Sequence, residues 1–455
     1  MIELDPERIA IEARATIVAR GDGGRPDRAV VDSREQVPGD LFVGLRGARI
    51  DGGRFAAEAL VNGAWGILVE RSRAEEVMSS GAPPGWILSC EDPLASMQAL
   101  ARGWRREINC PLVGITGSTG KTSVKDICRA ILPRRVHASP ENFNTEIGLP
   151  LALLAAPLET EILVMEMAMR GIGQIEELCL IAEPDVAAIT NVGPVHLELL
   201  GTLEAIAEAK AEILRGLGPD GKAVVPADAE ALDPHLDDPL DALTFGPGGD
   251  VLALGVERTG EMTRARIGSP AGEAEFDLPF GEAHNLANAL CAVAVGVALG
   301  IEPAEMAPLA PRIEFSRLRG ERVELQGGIL LLNDCYNANP VSMRAAVEHL
   351  ASIPASGRRL AVLGGMAELG PEAAGFHAEI GALVREHGLG PLVGVGELAR
   401  DFAPDEWAPD PDAAALLLER ELRAGDVALI KGSRSVGLER LTDGLRARLG
   451  EACAG

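Results

Sequence analysis

The sequence predicts an α/β protein built as three α/β units in series, two of them doubly wound. Three observations carry this. The chain has 455 residues, about three domains at roughly 150 residues each. Short apolar runs alternate with helical stretches over most of its length. Changes in that rhythm fall near residues 107 and 313.

Residues 1–107 form the first unit. Its short β-like runs, "RAVVDS", "DLFVGL" and "WGILVE", lie between Gly- and Asp-rich turns. Residues 108–313 form the second, with "CPLVGIT", "TEILVMEM", "PDVAAITNV" and "GKAVVP". Runs of this length between amphipathic helices read as buried parallel strands. A polar insert near 228–280, beginning "DAEALDPHLDDPLDALTFG", is expected to hold antiparallel strands. Pro and Gly near 301–313 mark a hinge. Residues 314–455 repeat the alternation in "GILLLND", "RRLAVLGGM", "PLVGVGE" and "DVALIKGS".

Composition narrows the function. Lys plus Arg number 42 against 68 Asp plus Glu, a net charge of −26. So acidic a surface repels nucleic acid and anionic lipid. An anionic ligand must then be held locally, by helix N-termini, single cations or metal ions. The seven cysteines form no C-x-x-C pair, which argues against a disulfide framework or a zinc site. The N-terminal stretch is charged and amphipathic rather than a signal peptide, and no apolar run approaches the ~20 residues that span a bilayer. A cytoplasmic, monomeric enzyme is expected.

"GITGSTGKTS" (114–123) joins a strand to a helix. Glycine lets backbone N–H groups converge on phosphate oxygens, Lys121 can reach the terminal phosphates, and Thr122 can ligate magnesium. The strict G-x-x-x-x-G-K-[ST] pattern would need glycine at 115, where Ile115 stands. Gly117, Ser118, Thr119, Gly120, Lys121, Thr122 and Ser123 are the expected phosphate-binding segment. Such a loop serves switches, motors, kinases and ligases alike. The guanine-reading N-K-x-D string is absent.

Beyond the loop, Glu166 closes "EILVMEM", His196 follows the next strand, and Lys210 lies in the helical "EAIAEAKAEIL". Sites in open α/β sheets lie at the carboxyl ends of strands. A carboxylate and an imidazole there can hold a divalent cation. Taken singly, each also fits a structural role: a capping acid, a satisfied histidine, a solvated lysine. Their order after the phosphate loop points to chemistry.

With "ENFNTEIGLPLALL", "MEMAMRGIGQI", "TNVGPVHLELLGT", "AKAEIL", "GEAHNLANALCAVAVG" and "NDCYNANPVSMRAAV" in this order, the chain resembles the Mur ligase family over nearly its whole length. "YNANP", "GGMAELG" and "KGSRSVGLERL" point to the branch that extends a UDP-linked tripeptide. The resemblance implies a uridine-nucleotide domain, a central P-loop ATPase domain with a mostly parallel sheet, and a Rossmann-like C-terminal domain. It implies ATP-dependent amide formation between UDP-MurNAc-tripeptide and D-Ala-D-Ala through an acyl phosphate. A carboxylate is a poor electrophile, and phosphorylation supplies its leaving group.

It also implies roles for residues. Lys121, Glu166, His196 and Lys210 would be catalytic. Thr122, Glu166, His196 and a carbamylated Lys210 would hold magnesium. Asn285 and Asn288, one helical face apart, would sit at the adenine with His284, and Arg317 and Asp334 would reach the nucleotide from the third unit. Ser33 and Arg34 would contact the UDP-substrate, and Tyr336, Asn337 and Asn339 the amine substrate. Gln174 stands where the family usually has an acid, and Asn333-Asp334-Cys335 where Asp-Asp-Ser is commoner. A second reading keeps the enzyme class but changes the substrate: the ligase that adds the third residue, or a folylpolyglutamate- or cyanophycin-like enzyme. A third is a P-loop switch that makes no bond.

Overall fold

The computed structural model describes residues 2–140, 142–236, 240–260 and 262–451. Three mixed or parallel sheets follow one another along the chain, with one small antiparallel sheet inserted.

The first sheet has five strands, in spatial order Thr16–Ala19, Trp86–Cys90, Gly66–Glu70, Leu41–Val43, Ala29–Val30. All neighbours are parallel except the first pair. The unit ends in the helix Pro93–Ile108, started by Asp92, whose carboxylate accepts from the Leu94 and Ala95 N–H groups. Asp at this position satisfies otherwise unpaired amides of the first turn. The helix does not stop at its own sheet. Trp104 is fully buried, and its Nε1 donates to Ala156 O at 3.0 Å. Arg102 and Arg106 both bind Glu183, and Arg105 binds Asp185 at 2.8 Å. One continuous core therefore runs from Ile2 through Trp104 to Leu232.

The central sheet is six-stranded and wholly parallel, in the order Asp241–Phe245, Lys222–Pro226, Val186–Ile189, Leu112–Thr116, Ile162–Glu166, Val136–Ala138. Leu112–Thr116, Ile162–Glu166 and Val186–Ile189 are buried throughout, as strands covered on both faces must be. Strand order reverses beside Leu112–Thr116, so a crevice opens at its carboxyl end, where the phosphate loop begins.

The 228–280 insert divides in two. Its quoted first part supplies Asp241–Phe245, a parallel strand of the central sheet, and not an antiparallel one; residues 237–239 of that part lie outside the described residues. The antiparallel strands come later, as Leu252–Thr259, Met262–Ser269 and Gly272–Leu278.

The third sheet runs Glu321–Leu325, Ile329–Asn333, Val427–Lys431, Arg359–Gly364, Leu392–Val395, Glu406–Ala408, parallel except for the first pair. It carries a separate core on each face. Among the described residues, no single helix is long and apolar enough to cross a membrane.

Candidate active site

A cleft of about 950 Å³ lies between the carboxyl end of the central sheet and the third unit. Its floor is the phosphate loop. Gly117 and Gly120 have φ of +150° and +79°, and a Cβ would overlap Thr190 Oγ1 at the first and Asn288 Oδ1 at the second. The loop thus needs glycine both for its turn and for close approach. The helix Lys121–Ile131 starts at Gly120, so its free N–H groups face the cleft.

The loop is clamped from the side. Ser118 Oγ donates to Gly193 O and accepts from Gly193 N, each at 2.9 Å. Thr119 N donates to Asn191 Oδ1 at 2.9 Å. Thr190 and Asn191 were not among the expected site residues; their signal was the polar pair directly after an apolar strand.

Lys121 Nζ donates to Gly117 O at 2.7 Å. Its pKa is pushed below the ordinary lysine value by burial; Glu166 opposes that, and Arg319 adds to it. Thr122 Oγ1 donates to Glu166 Oε2 at 2.9 Å, and Asn144 Nδ2 donates to Glu166 Oε1 at 2.8 Å. Glu166 is buried at the end of its strand. A threonine hydroxyl and a carboxylate beside a phosphate loop are hard oxygen donors that suit magnesium. No cluster of three or more His, Cys, Asp or Glu gathers as a metal cage among the described residues.

His196 lines the same cleft, at the start of Leu197–Leu200. Burial lowers its pKa, Glu368 works against that, and Lys210 and Lys121 add to the lowering. Lys210 is on the helix Leu203–Arg215 and is only 2% exposed. Burial, and then the charge of Lys121, hold its pKa well below the usual lysine range. Among the described residues its amine makes no ion pair, so its neutral form is favoured.

Asn285 and Asn288 share one face of the helix Ala283–Ala298, and Asn288 Nδ2 donates to Asn285 Oδ1 at 3.0 Å. His284 lines the cleft beside them. From the third unit come Asp334, Tyr336, Asn337 and Asn339. Asp334 is paired with the buried Lys431 at 2.6 Å, and Lys431 also donates to Asn337 O at 3.0 Å. Asn339 caps the helix Pro340–Ser352: its Oδ1 accepts from Ser342 N at 2.9 Å.

Two expected groups stand elsewhere. Arg317 is exposed and does not line the cleft. Leu318 takes a left-handed φ of 64°, and Arg319 enters instead. Its Nη2 donates to Thr122 Oγ1 at 3.2 Å, its guanidinium lies 4.0 Å from the Tyr336 ring centroid, and its buried Nε has no hydrogen-bond partner among the described residues. Ser33 and Arg34 lie on a turn of the first sheet, outside the cleft. There Arg34 grips Asp32 through Nε at 2.9 Å and Nη2 at 2.5 Å, and that grip holds the Asp32 carboxyl near pKa 2.

Gln174, at the departing position, binds backbone amides. Its Oε1 accepts from Arg170 N at 2.7 Å and Gly171 N at 3.3 Å, as a carboxylate oxygen would.

Residues 115–296 match the Mur ligase middle domain, and residues 318–434 match the Mur ligase, glutamate ligase domain. The chain is 34% identical to the UDP-N-acetylmuramoyl-tripeptide–D-alanyl-D-alanine ligase of Bacillus subtilis, covering 91% of this chain and 92% of that one. It is 31% identical to the ligase of the same name from Escherichia coli, over 92% and 94%. Among solved structures, MurF from Acinetobacter baumannii superposes with a TM-score of 0.87 at 27% identity, over 97% and 98%. MurF ligase from Thermotoga maritima, in complex with ADP, superposes at 0.78 and 33% identity, over 93% and 97%.

Proposed function

The chain belongs to the Mur ligase family, and we propose that it uses ATP to join D-Ala-D-Ala to UDP-MurNAc-tripeptide in the synthesis of peptidoglycan precursors. One observation carries this: a phosphate loop and the "DCYNANP" segment, from different units, line one cleft.

The assigned chemistry has two steps. The terminal carboxylate of the tripeptide attacks the γ-phosphorus of ATP, and ADP leaves. The D-Ala-D-Ala amine then attacks the acyl carbon, and phosphate leaves with the electron pair while the amine loses its proton. Charge on the transferring phosphoryl needs fixed cations and oriented N–H groups. Lys121 and the N-terminus of Lys121–Ile131 supply them from below, and Arg319 from the third unit. Arg319 takes the phosphate role expected of Arg317, and its unpartnered Nε is left for the nucleotide. Thr122 and Glu166, with His196, would hold magnesium, which neutralises phosphate charge when bound. Asn285, Asn288 and His284 would receive the adenine, and Asp334 the ribose. Tyr336, Asn337 and Asn339 would shape the amine site.

Lys210 is assigned as the carbamylated residue: its neutral amine would add carbon dioxide and lose a proton, giving an anion toward the metal. Ser33 and Arg34 would bind the uridine nucleotide on the first unit. Residues 1–107, 108–313 and 314–455 would be the UDP-substrate, ATP and C-terminal domains. The helix Pro93–Ile108 ties the first two together. Soluble nucleotide substrates support a cytoplasmic location.

The test is direct. Protein, ATP, magnesium, UDP-MurNAc-tripeptide and D-Ala-D-Ala are incubated, and the UDP-linked pentapeptide is sought by mass spectrometry. Product with a different amine in place of D-Ala-D-Ala would favour another Mur-type ligase. Hydrolysis of ATP indifferent to any amine would favour the switch.

A further inference from the structure

Two non-glycine residues with left-handed backbones meet across the boundary between the second and third units. His196 has φ 54° and Glu368 φ 62°. Such conformations are uncommon outside glycine and persist where surrounding structure enforces them, often at functional sites. His196 Nδ1 and Glu368 Oε2 are 2.5 Å apart. The contact extends along the backbone, since Glu198 N donates to Glu368 O at 3.4 Å. Arg170 Nε stands 3.7 Å from the other carboxylate oxygen of Glu368. Neither Glu368 nor its loop is needed to build the phosphate site, and no role was expected for it.

A carboxylate that accepts the Nδ1 proton decides which ring nitrogen keeps a lone pair. Nε2 is then the acceptor, and the ring plane is fixed. We propose that Glu368 is a positioning residue for His196: docking of its loop from the third unit locks the imidazole with Nε2 free to ligate a divalent cation in the cleft. Metal competence of the second unit then depends on the third unit being docked. The proposal rests on the reading of His196 as a metal ligand.

The full-length protein with a non-hydrolysable ATP analogue is titrated with Mn2+, and bound metal is followed by electron paramagnetic resonance. Wild type is compared with His196→Ala, Glu368→Ala and Glu368→Gln, each checked for native thermal unfolding. Gln keeps a carbonyl oxygen that can accept the Nδ1 proton but has no charge for Arg170. Loss of an outer-shell partner of this kind costs about 10- to 100-fold in metal affinity. The expected result is that weakening in His196→Ala and Glu368→Ala, with Glu368→Gln close to wild type. Unchanged affinity in His196→Ala would end the ligand reading and this proposal with it. Weak binding in His196→Ala beside wild-type binding in Glu368→Ala would overturn the positioning role and leave the ligand reading standing. Glu368→Gln as weak as Glu368→Ala would overturn it too, in favour of a charge latch to Arg170.

Discussion

Asp126 holds Ser316 twice with one oxygen: its Oδ2 accepts from Ser316 N and from Ser316 Oγ, each at 2.8 Å. Asp126 is 1% exposed and sits on the helix that follows the phosphate loop. The chain is therefore pinned to the second unit just past the hinge expected near 301–313. A hydrogen bond to a charged group is worth roughly 1.5–3 kcal/mol, and more when its loss leaves a buried partner unpaired. Asp126→Ala should lower the thermal midpoint by several degrees and loosen the third unit against the second. Asp126→Asn, which keeps one acceptor oxygen, should lose less. Scanning calorimetry and small-angle scattering check this; an unchanged melt and radius in Asp126→Ala would sink it.

Arg319 and Arg317 should separate kinetically. Arg319 touches Thr122 and stacks on Tyr336, whereas Arg317 is exposed outside the cleft. A fixed cation at a transferring phosphoryl is worth several kcal/mol in the transition state. Arg319→Met should reduce kcat/KM for ATP at least about tenfold more than Arg317→Met, at ~1.4 kcal/mol per factor of ten. Comparable losses would return the nucleotide contact to Arg317.

The same pair shows where sequence reading stopped. Strands such as Leu112–Thr116 and Ile162–Glu166 were legible because both their faces are buried, which forces continuous apolar runs. Thr16–Ala19, Val136–Ala138 and Glu406–Ala408 were not: they are edge strands of three or four residues, set more by their partners than by their own pattern. Lys121, Glu166 and Lys210, which line the cleft, could be singled out in the sequence because local motifs carry them. Arg319, Asn191 and Glu368 were not singled out, because their contacts exist only when distant segments meet. Nothing in "SRLRG" tells that Leu318 turns left-handed and sends the second arginine, not the first, into the cleft.

Asn339 has a structural duty beside the amine role expected for it. As N-cap of Pro340–Ser352, it satisfies the Ser342 amide. Replacing such a cap by alanine costs ~1 kcal/mol, whereas serine preserves it. Asn339→Ala should lower stability and raise the KM for D-Ala-D-Ala more than that for ATP. Asn339→Ser should restore the stability. If Ser also restores the KM, the residue acts on the amine site through the helix start. If the KM stays high, its amide touches the amine substrate directly. Equal rises in both KM values would place the segment at the nucleotide.

Lys121→Ala should abolish amine-dependent phosphate release while leaving UDP-substrate binding nearly intact. Lys121 lies on the cleft floor, and the Ser33–Arg34 turn lies on another sheet outside the cleft. A charge-assisted phosphate contact is worth ~1.5–3 kcal/mol in binding and more in a dry transition state. Calorimetric titration with UDP-MurNAc-tripeptide checks the split. Loss of that binding in a folded variant would contradict it.

Lys210 should not act as an ammonium. It is 2% exposed, makes no ion pair among the described residues, and feels the positive charge of Lys121. Burial and a like charge both disfavour the protonated form, so its pKa is lowered and the neutral amine is favoured. Only the neutral amine adds carbon dioxide. The carbamate so formed is an anion, and it reverses the sign of the interaction with Lys121 and with a divalent cation. Lowering the pH should strip the carbamate, because protonation of the amine competes with carbon dioxide; activity should fall on the acid side and recover with added bicarbonate. Lys210→Ala should lose most activity, and acetate should restore part of it by supplying a carboxylate at the same place. Lys210→Arg should stay inactive, since it keeps a positive charge and cannot carry the carbamate. A 13C resonance of a carbamate in wild type after 13C-bicarbonate, absent in Lys210→Arg, is the direct readout. Full activity in Lys210→Arg, or no such resonance in active wild type, would make this lysine a buried structural residue.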